Sequence, residues 1–212
     1  MATYDVLKEA ILGGDEKEVE SQVNKALGEG ADAQDVMTNG LIAGMEVVGK
    51  RFKTGEMFLP EVLLSAEVMH KGLDIVNPIL AKTGGRKGLG TVVMGTVEGD
   101  IHDIGKRIVS FLLEGTGFEV IDLGVDVKAD AFIQAIEKHN PNVLGMSALL
   151  TTTMPNMGKT IDLLKEKGLR EKVKVIVGGA PISEQFAQSI GADGYALEAG
   201  SAVELVKKLL AG

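Results

Sequence analysis

Apolar positions along the chain follow two different rhythms. In the first part they recur at helical spacing: Leu7 and Ile11, then Val19, Val23, Ala26 and Leu27, then Val36, Met37, Leu41, Val48 and Phe52, and last Val62, Leu63, Ala66, Met69, Leu73 and Val76. Such spacing gathers side chains on one face of a helix, so each run predicts an amphipathic helix. Gly28 and Gly30 end the second run, Asp32 opens the third, Lys53-Thr54-Gly55-Glu56 makes a turn, and Pro60 suits the first turn of the fourth. Gly40 and Gly44 lie on one helix face and predict tight helix packing there. Helices joined by such short turns predict a small four-helix bundle.

The rhythm then changes. Ala81-Lys82-Thr83-Gly84-Gly85-Arg86-Lys87-Gly88 is rich in glycine and basic residues and reads as a linker. Beyond it, short apolar or β-branched runs alternate with helical stretches: Thr91 to Val97, Phe118 to Leu123, Val143 to Ser147, Val173 to Val177 and Gly194 to Ala196, with a last helix from about Ser201 to Leu210. Strands alternating with helices predict a doubly wound five-stranded parallel sheet of Rossmann-like α/β type. The runs are continuously apolar, as strands covered on both faces are. The division expected is residues 1–88 for the helical part and 89–212 for the sheet.

Composition narrows the function. Of the 212 residues 45% are hydrophobic and 25% charged, an ordinary globular balance. A formal net charge of -8 argues against nucleic acid as a partner, since phosphate binding draws on clustered lysine and arginine. Cysteine is absent, which excludes disulfides, iron–sulfur clusters, zinc–cysteine sites and thiol catalysis. No apolar run has the length of a membrane span, and the N-terminus lacks a secretory pattern. A cytoplasmic protein with no membrane partner is the expectation.

In doubly wound sheets ligands bind outside the carboxyl ends of the strands. Directly after the first strand comes Glu98-Gly99-Asp100-Ile101-His102-Asp103-Ile104-Gly105-Lys106. An imidazole here can bind a metal through one ring nitrogen while the other donates to a carboxylate, which fixes the tautomer and raises ligand basicity. Gly105 is expected to let the backbone turn tightly into the next helix. After the third strand comes Ser147-Ala148-Leu149-Leu150-Thr151-Thr152-Thr153, and after the fourth Gly178-Gly179-Ala180-Pro181, whose missing side chains are expected to leave room for a bulky group.

The set D-x-H-x-x-G, S-x-L and G-G, carried by Asp100, His102 and Gly105, by Ser147 and Leu149, and by Gly178 and Gly179, resembles the cobalamin-binding domain of B12-dependent methyltransferases and mutases. The segment from Gly49 to Glu61 is similar to the helical cap that precedes this domain in methionine synthase and in small methyl-carrying corrinoid proteins, so the resemblance spans the chain. It implies a cobalamin or related corrinoid as cofactor, with His102 as the lower axial cobalt ligand and Asp100 accepting its other ring proton. Thr153 stands where relatives have a serine hydroxyl completing that relay. Asp103, Ile104, Ser147, Leu149, Thr151, Gly178 and Gly179 are implied to line the corrinoid site, and Phe52 and Leu59 to cover the methyl-bearing face. The function implied is a methyl carrier, not catalytic alone, that accepts a methyl group on Co(I) from a substrate-specific methyltransferase. A second methyltransferase would pass it to an acceptor such as coenzyme M or tetrahydrofolate, and a reductive activation protein is a third implied partner. The alternative is a cobalamin-sensing regulator, which would need a basic DNA-binding module. A radical-mutase subunit would lack the helical cap. A phospho-receiver would need an aspartate after the third strand, where Met146-Ser147-Ala148 stands.

Overall fold

The computed structural model describes residues 4–82 and 88–211. By internal packing the chain divides into two units, Met1–Leu89 with Phe111–Gly117, and Gly90–Ser110 with Phe118–Gly212.

The helical unit contains α1 (Asp5–Gly13), α2 (Glu16–Gly28), α3 (Ala33–Asp35), a π-helical stretch (Val36–Ile42) running directly into α4 (Ala43–Lys53), and α5 (Leu59–Lys82). The third predicted helix is thus real but locally widened. Asp15 caps α2 by accepting the Glu18 amide, and Asp32 caps α3 by accepting the amides of Gln34 and Asp35, each satisfying N–H groups that a helix start leaves unpaired. Val19, Val23, Met37, Leu41, Val48, Val62 and Met69 are buried, so the apolar stripes do face one another. The two stripe glycines act as predicted. A Cβ on Gly40 would stand 2.6 Å from a Leu7 methyl and one on Gly44 2.8 Å from Ile11, so α1 seats its side chains in the gaps.

One boundary differs from the expectation. The fourth helix continues through Pro78 to Lys82, taking in Ala81 and Lys82 of the supposed linker. A proline inside a helix costs about 3 kcal/mol or more, but Pro78 lies on the exposed side while Val76 and Leu80 are buried and hold the last turns. Residues 83–87 of that linker lie outside the described residues.

The second unit is a parallel sheet of β1 (Thr91–Thr96), β2 (Glu119–Asp122), β3 (Val143–Ser147), β4 (Lys174–Gly178) and β5 (Gly194–Ala196) in the order β2-β1-β3-β4-β5. Between the strands run α6 (Ile104–Gly115), α7 (Ala129–His139), α8 (Pro155–Glu166) and α9 (Glu184–Ile190), and α10 (Ala199–Leu210) closes the chain. Strand ends lie within a residue of their predicted places, and β1, β3 and β4 are buried along almost their whole length. Gly95 in β1 admits the ring of Phe132 from α7, which a Cβ would meet at 2.6 Å. Chain order reverses between β1 and β3, so the loops after these two strands flank the switch point, where a doubly wound sheet opens a crevice.

Candidate corrinoid-binding site

The loop after β1 begins as a tight turn. The Asp100 amide donates to the Val97 carbonyl at 3.1 Å, and Gly99 supplies the left-handed φ of 81° that the third position of such a turn requires. This drops Asp100 into a fully buried position, 0% exposed, where an unpaired carboxylate would be costly. It is not unpaired. Its Oδ1 accepts the His102 amide at 3.1 Å and lies 2.7 Å from His102 Nδ1. Its Oδ2 accepts the amides of Leu149 and Leu150 at 2.7 and 3.3 Å, and the Thr153 hydroxyl at 2.7 Å. Burial alone would push this carboxyl up. The Thr153 hydroxyl, the Leu149 amide and both His102 donors more than reverse that and hold it well below the usual carboxylate range.

The imidazole therefore faces an ionised, acceptor-only partner. Nδ1 is thus the ring nitrogen placed to donate, and Nε2 the one left to face a metal. The His102 side chain is 46% exposed while its partner is fully buried, an arrangement that fixes a ligand from below and presents it outward. Thr96 adds a bond from its hydroxyl to the His102 carbonyl at 3.0 Å. The Lys106 side chain, almost wholly buried on α6, pairs with Asp122 at the end of β2 and donates to the Gly124 carbonyl at 3.1 Å. Among the described residues no group of three or more His, Asp or Glu side chains is arranged to hold a metal.

The sheet edge that bears the histidine also carries exposed apolar residues. The exposed large apolar residues of this unit are Ile101, Ile104, Val125, Leu149, Leu150 and Leu197, and every one follows the carboxyl end of a strand. Ile101 is 74% and Leu197 79% exposed. Their placement after strand ends favours a binding surface at that edge of the sheet. Of these, Ile101, Val125, Leu150 and Leu197 are absent from the sequence motifs. Their signal was available, since apolar residues stood in loops that ordinarily carry polar ones.

The glycines divide. Gly105 does not make a turn, contrary to expectation: it lies inside α6 with a negative φ, and a Cβ there would meet nothing within 4 Å. An exposed helical glycine with no packing reason leaves free volume beside His102. Gly179 is the reverse. Its φ is 128° and a Cβ would fall 1.9 Å from the Ala148 carbonyl oxygen, so this glycine admits neighbouring backbone and opens no room for a ligand. Gly178 is similar but milder, with the Ala196 carbonyl 3.2 Å from a Cβ position.

The remaining expected residues fall as follows. Ser147 ends β3 in register with Thr96 of β1 and Gly178 of β4, which brings those strand ends side by side. Asp103 immediately precedes α6, its carbonyl accepting the Arg107 amide at 2.8 Å, Ile104 opens that helix, and Thr151 is exposed in the loop after β3. In the helical unit, Phe52 lies in the last turn of α4 and Leu59 opens α5, both only partly buried, whereas Met57 between them is buried and Phe58 exposed.

Comparison with known proteins agrees with this chemistry. Residues 90–207 and residues 3–77 each match a family described as a B12 binding domain. A corrinoid protein of Desulfitobacterium hafniense is 49% identical over 99% of this chain and 98% of its own length. The trimethylamine corrinoid protein of Methanosarcina barkeri is 46% identical over 96% of this chain and 94% of its own. The solved methanol:cobalamin methyltransferase complex MtaBC of Methanosarcina barkeri superposes with a TM-score of 0.91 at 35% identity, covering 98% of this chain and 79% of that one. With a buried Asp100 presenting an outward imidazole, B12-binding domains matched in both parts, and relatives alike from end to end, the chain belongs to the family of B12-binding corrinoid proteins.

Proposed function

We propose that this chain is the methyl carrier of a corrinoid-dependent methyltransferase system, receiving a methyl group from one methyltransferase and yielding it to a second. The observation that carries the site assignment is the buried Asp100 held by five donors with His102 exposed above it. When bound, the corrinoid supplies a cobalt centre to which a methyl group can be attached and from which it can be taken.

The protein's part is to hold and orient. His102 would hold the cobalt through Nε2, and Asp100 would take the Nδ1 proton in a hydrogen bond and keep the ring fixed. Thr153 holds Asp100 ionised. Its hydroxyl also lies 2.9 Å from the Leu150 carbonyl, but the carboxylate is the stronger claimant for the single hydrogen. Ile104, Leu149 and Thr151 line the approach beside Asp103 and Gly105, while Ser147, Gly178 and Gly179 shape the strand ends beneath. Phe52 and Leu59 are assigned to the apolar cover that keeps water from the reactive face; support comes from their partial exposure, since neither is consumed by the core of the helical unit. A reductive activation protein completes the proposed set of partners.

The test is to mix the protein with hydroxocobalamin and record its absorption spectrum beside that of His102→Ala. The wild type should bind with a spectrum that reports an imidazole ligand, and His102→Ala should lose that signature. For carriage itself, the loaded and reduced protein is labelled with methyl iodide and mixed with a coenzyme M or tetrahydrofolate methyltransferase. Retention of the label with every acceptor enzyme tried would refute the carrier role and leave a binding protein.

A further inference from the structure

The turn that places Asp100 contains a peptide unit gripped from both sides by residues outside the motif. In a turn of this kind, with a positive φ at the third residue and none at the second, the central peptide stands across the turn and finds no partner within it. That peptide joins Glu98 to Gly99. Its N–H donates to Asp126 Oδ1 at 2.7 Å, and its carbonyl accepts from Asn156 Nδ2 at 2.7 Å. Asp126 belongs to the loop after β2 and Asn156 to the first turn of α8, so the grip comes from two separate elements. The Asp126 amide also donates to the Asp100 carbonyl at 2.9 Å. To do both, Asp126 adopts a left-handed φ of 53°, a conformation uncommon outside glycine and found at sites where surrounding structure enforces it.

We infer that Asp126 and Asn156 are positioning residues for the cobalt ligand: by clamping the Glu98–Gly99 peptide they set the turn that holds Asp100, and through it the His102 ring. The inference rests on the proposed assignment of His102 as the residue that would hold the cobalt. Rotation of that peptide would reverse both of its poles, and the clamp forbids this by asking for a donor on one side and an acceptor on the other. Neither residue touches the imidazole. Their contribution is to the ratio of ligated to unligated cobalt, separate from whether corrinoid binds at all.

The variants follow from the geometry. Asp126→Gly keeps the left-handed backbone and removes only the acceptor. Asp126→Asn keeps both, because asparagine tolerates this backbone and retains Oδ1. Asn156→Ala removes the donor on the other pole. Each protein is labelled with 15N, loaded with hydroxocobalamin, reduced by one electron to the Co(II) state and measured by electron paramagnetic resonance. A protein imidazole then splits the cobalt signal into doublets, whereas the cofactor's own 14N base gives triplets. The expected result is a doublet in wild type and in Asp126→Asn. The ligated-to-unligated ratio should fall roughly three- to tenfold in Asp126→Gly and in Asn156→Ala, the range set by losing one hydrogen bond. An undiminished doublet in both of these variants overturns the inference, even if their melting temperatures fall. Absence of a doublet in wild type would instead refute His102 ligation, and the clamp's proposed role with it.

Discussion

Gly105→Ala separates what the protein needs for folding from what it needs for its cofactor. The added methyl enters space with no atom within 4 Å, at a helical backbone angle that alanine prefers. Glycine in a helix interior costs about 0.5–1 kcal/mol relative to alanine, mostly through the freedom of the unfolded chain. In the first turn about half of that is expected, so the apo-protein should gain about 0.25–0.5 kcal/mol. For a chain of this size that raises the melting temperature by about 0.5–2 °C. If the corrinoid occupies this volume, the same methyl becomes an overpacked contact costing about 1–3 kcal/mol, a roughly five- to 150-fold loss of affinity. The two signs are opposite, and thermal denaturation of apo-protein alongside a hydroxocobalamin titration reads both. Affinity within twofold of wild type would show that the space beside His102 is unused. A lowered melting temperature would show that the glycine serves the fold.

Gly179→Ala should do the contrary: its φ of 128° and the Ala148 carbonyl at 1.9 Å predict an apo-protein less stable by at least about 2 kcal/mol, checked by urea denaturation, and unchanged stability would refute the backbone account of that glycine. Thr153→Val removes a hydroxyl from buried Asp100 and should cost about 1–3 kcal/mol. Thr153→Ser, which keeps the hydroxyl, should lose less than about 1 kcal/mol by the same denaturation assay. In the helical unit the Tyr4 hydroxyl donates to Asp35 at 2.6 Å, and burial together with that bond pushes the phenol up to about 12. Because the folded value exceeds the unfolded one near 10, its stabilisation is complete below pH 10 and is lost as pH rises toward 12, a fall of roughly 2–3 kcal/mol. Tyr4→Phe should be less stable at pH 8 and show a flatter alkaline limb, and parallel pH profiles would refute the coupling.

Periodicity along the chain was enough to place the helices, the strands and the loop bearing His102, because helix and strand rhythms are local and each apolar face must be buried wherever the chain runs. It could not distinguish Gly105 from Gly179. The letters are the same, yet one borders open space and the other a carbonyl from a strand end some thirty residues earlier in the chain. Nor could it show that Ile101, Val125, Leu150 and Leu197 share one rim, since they lie in loops brought together only by strand order. The donors to Asp100 from Leu149, Leu150 and Thr153 stand 49 to 53 residues away. The grip of Asp126 and Asn156 on the Glu98–Gly99 peptide also spans separate elements. Local pattern determines which segments form because the forces behind it act within a turn or two. The ionisation of Asp100 and the fixing of His102 depend on groups remote in sequence, and tertiary structure alone decided those.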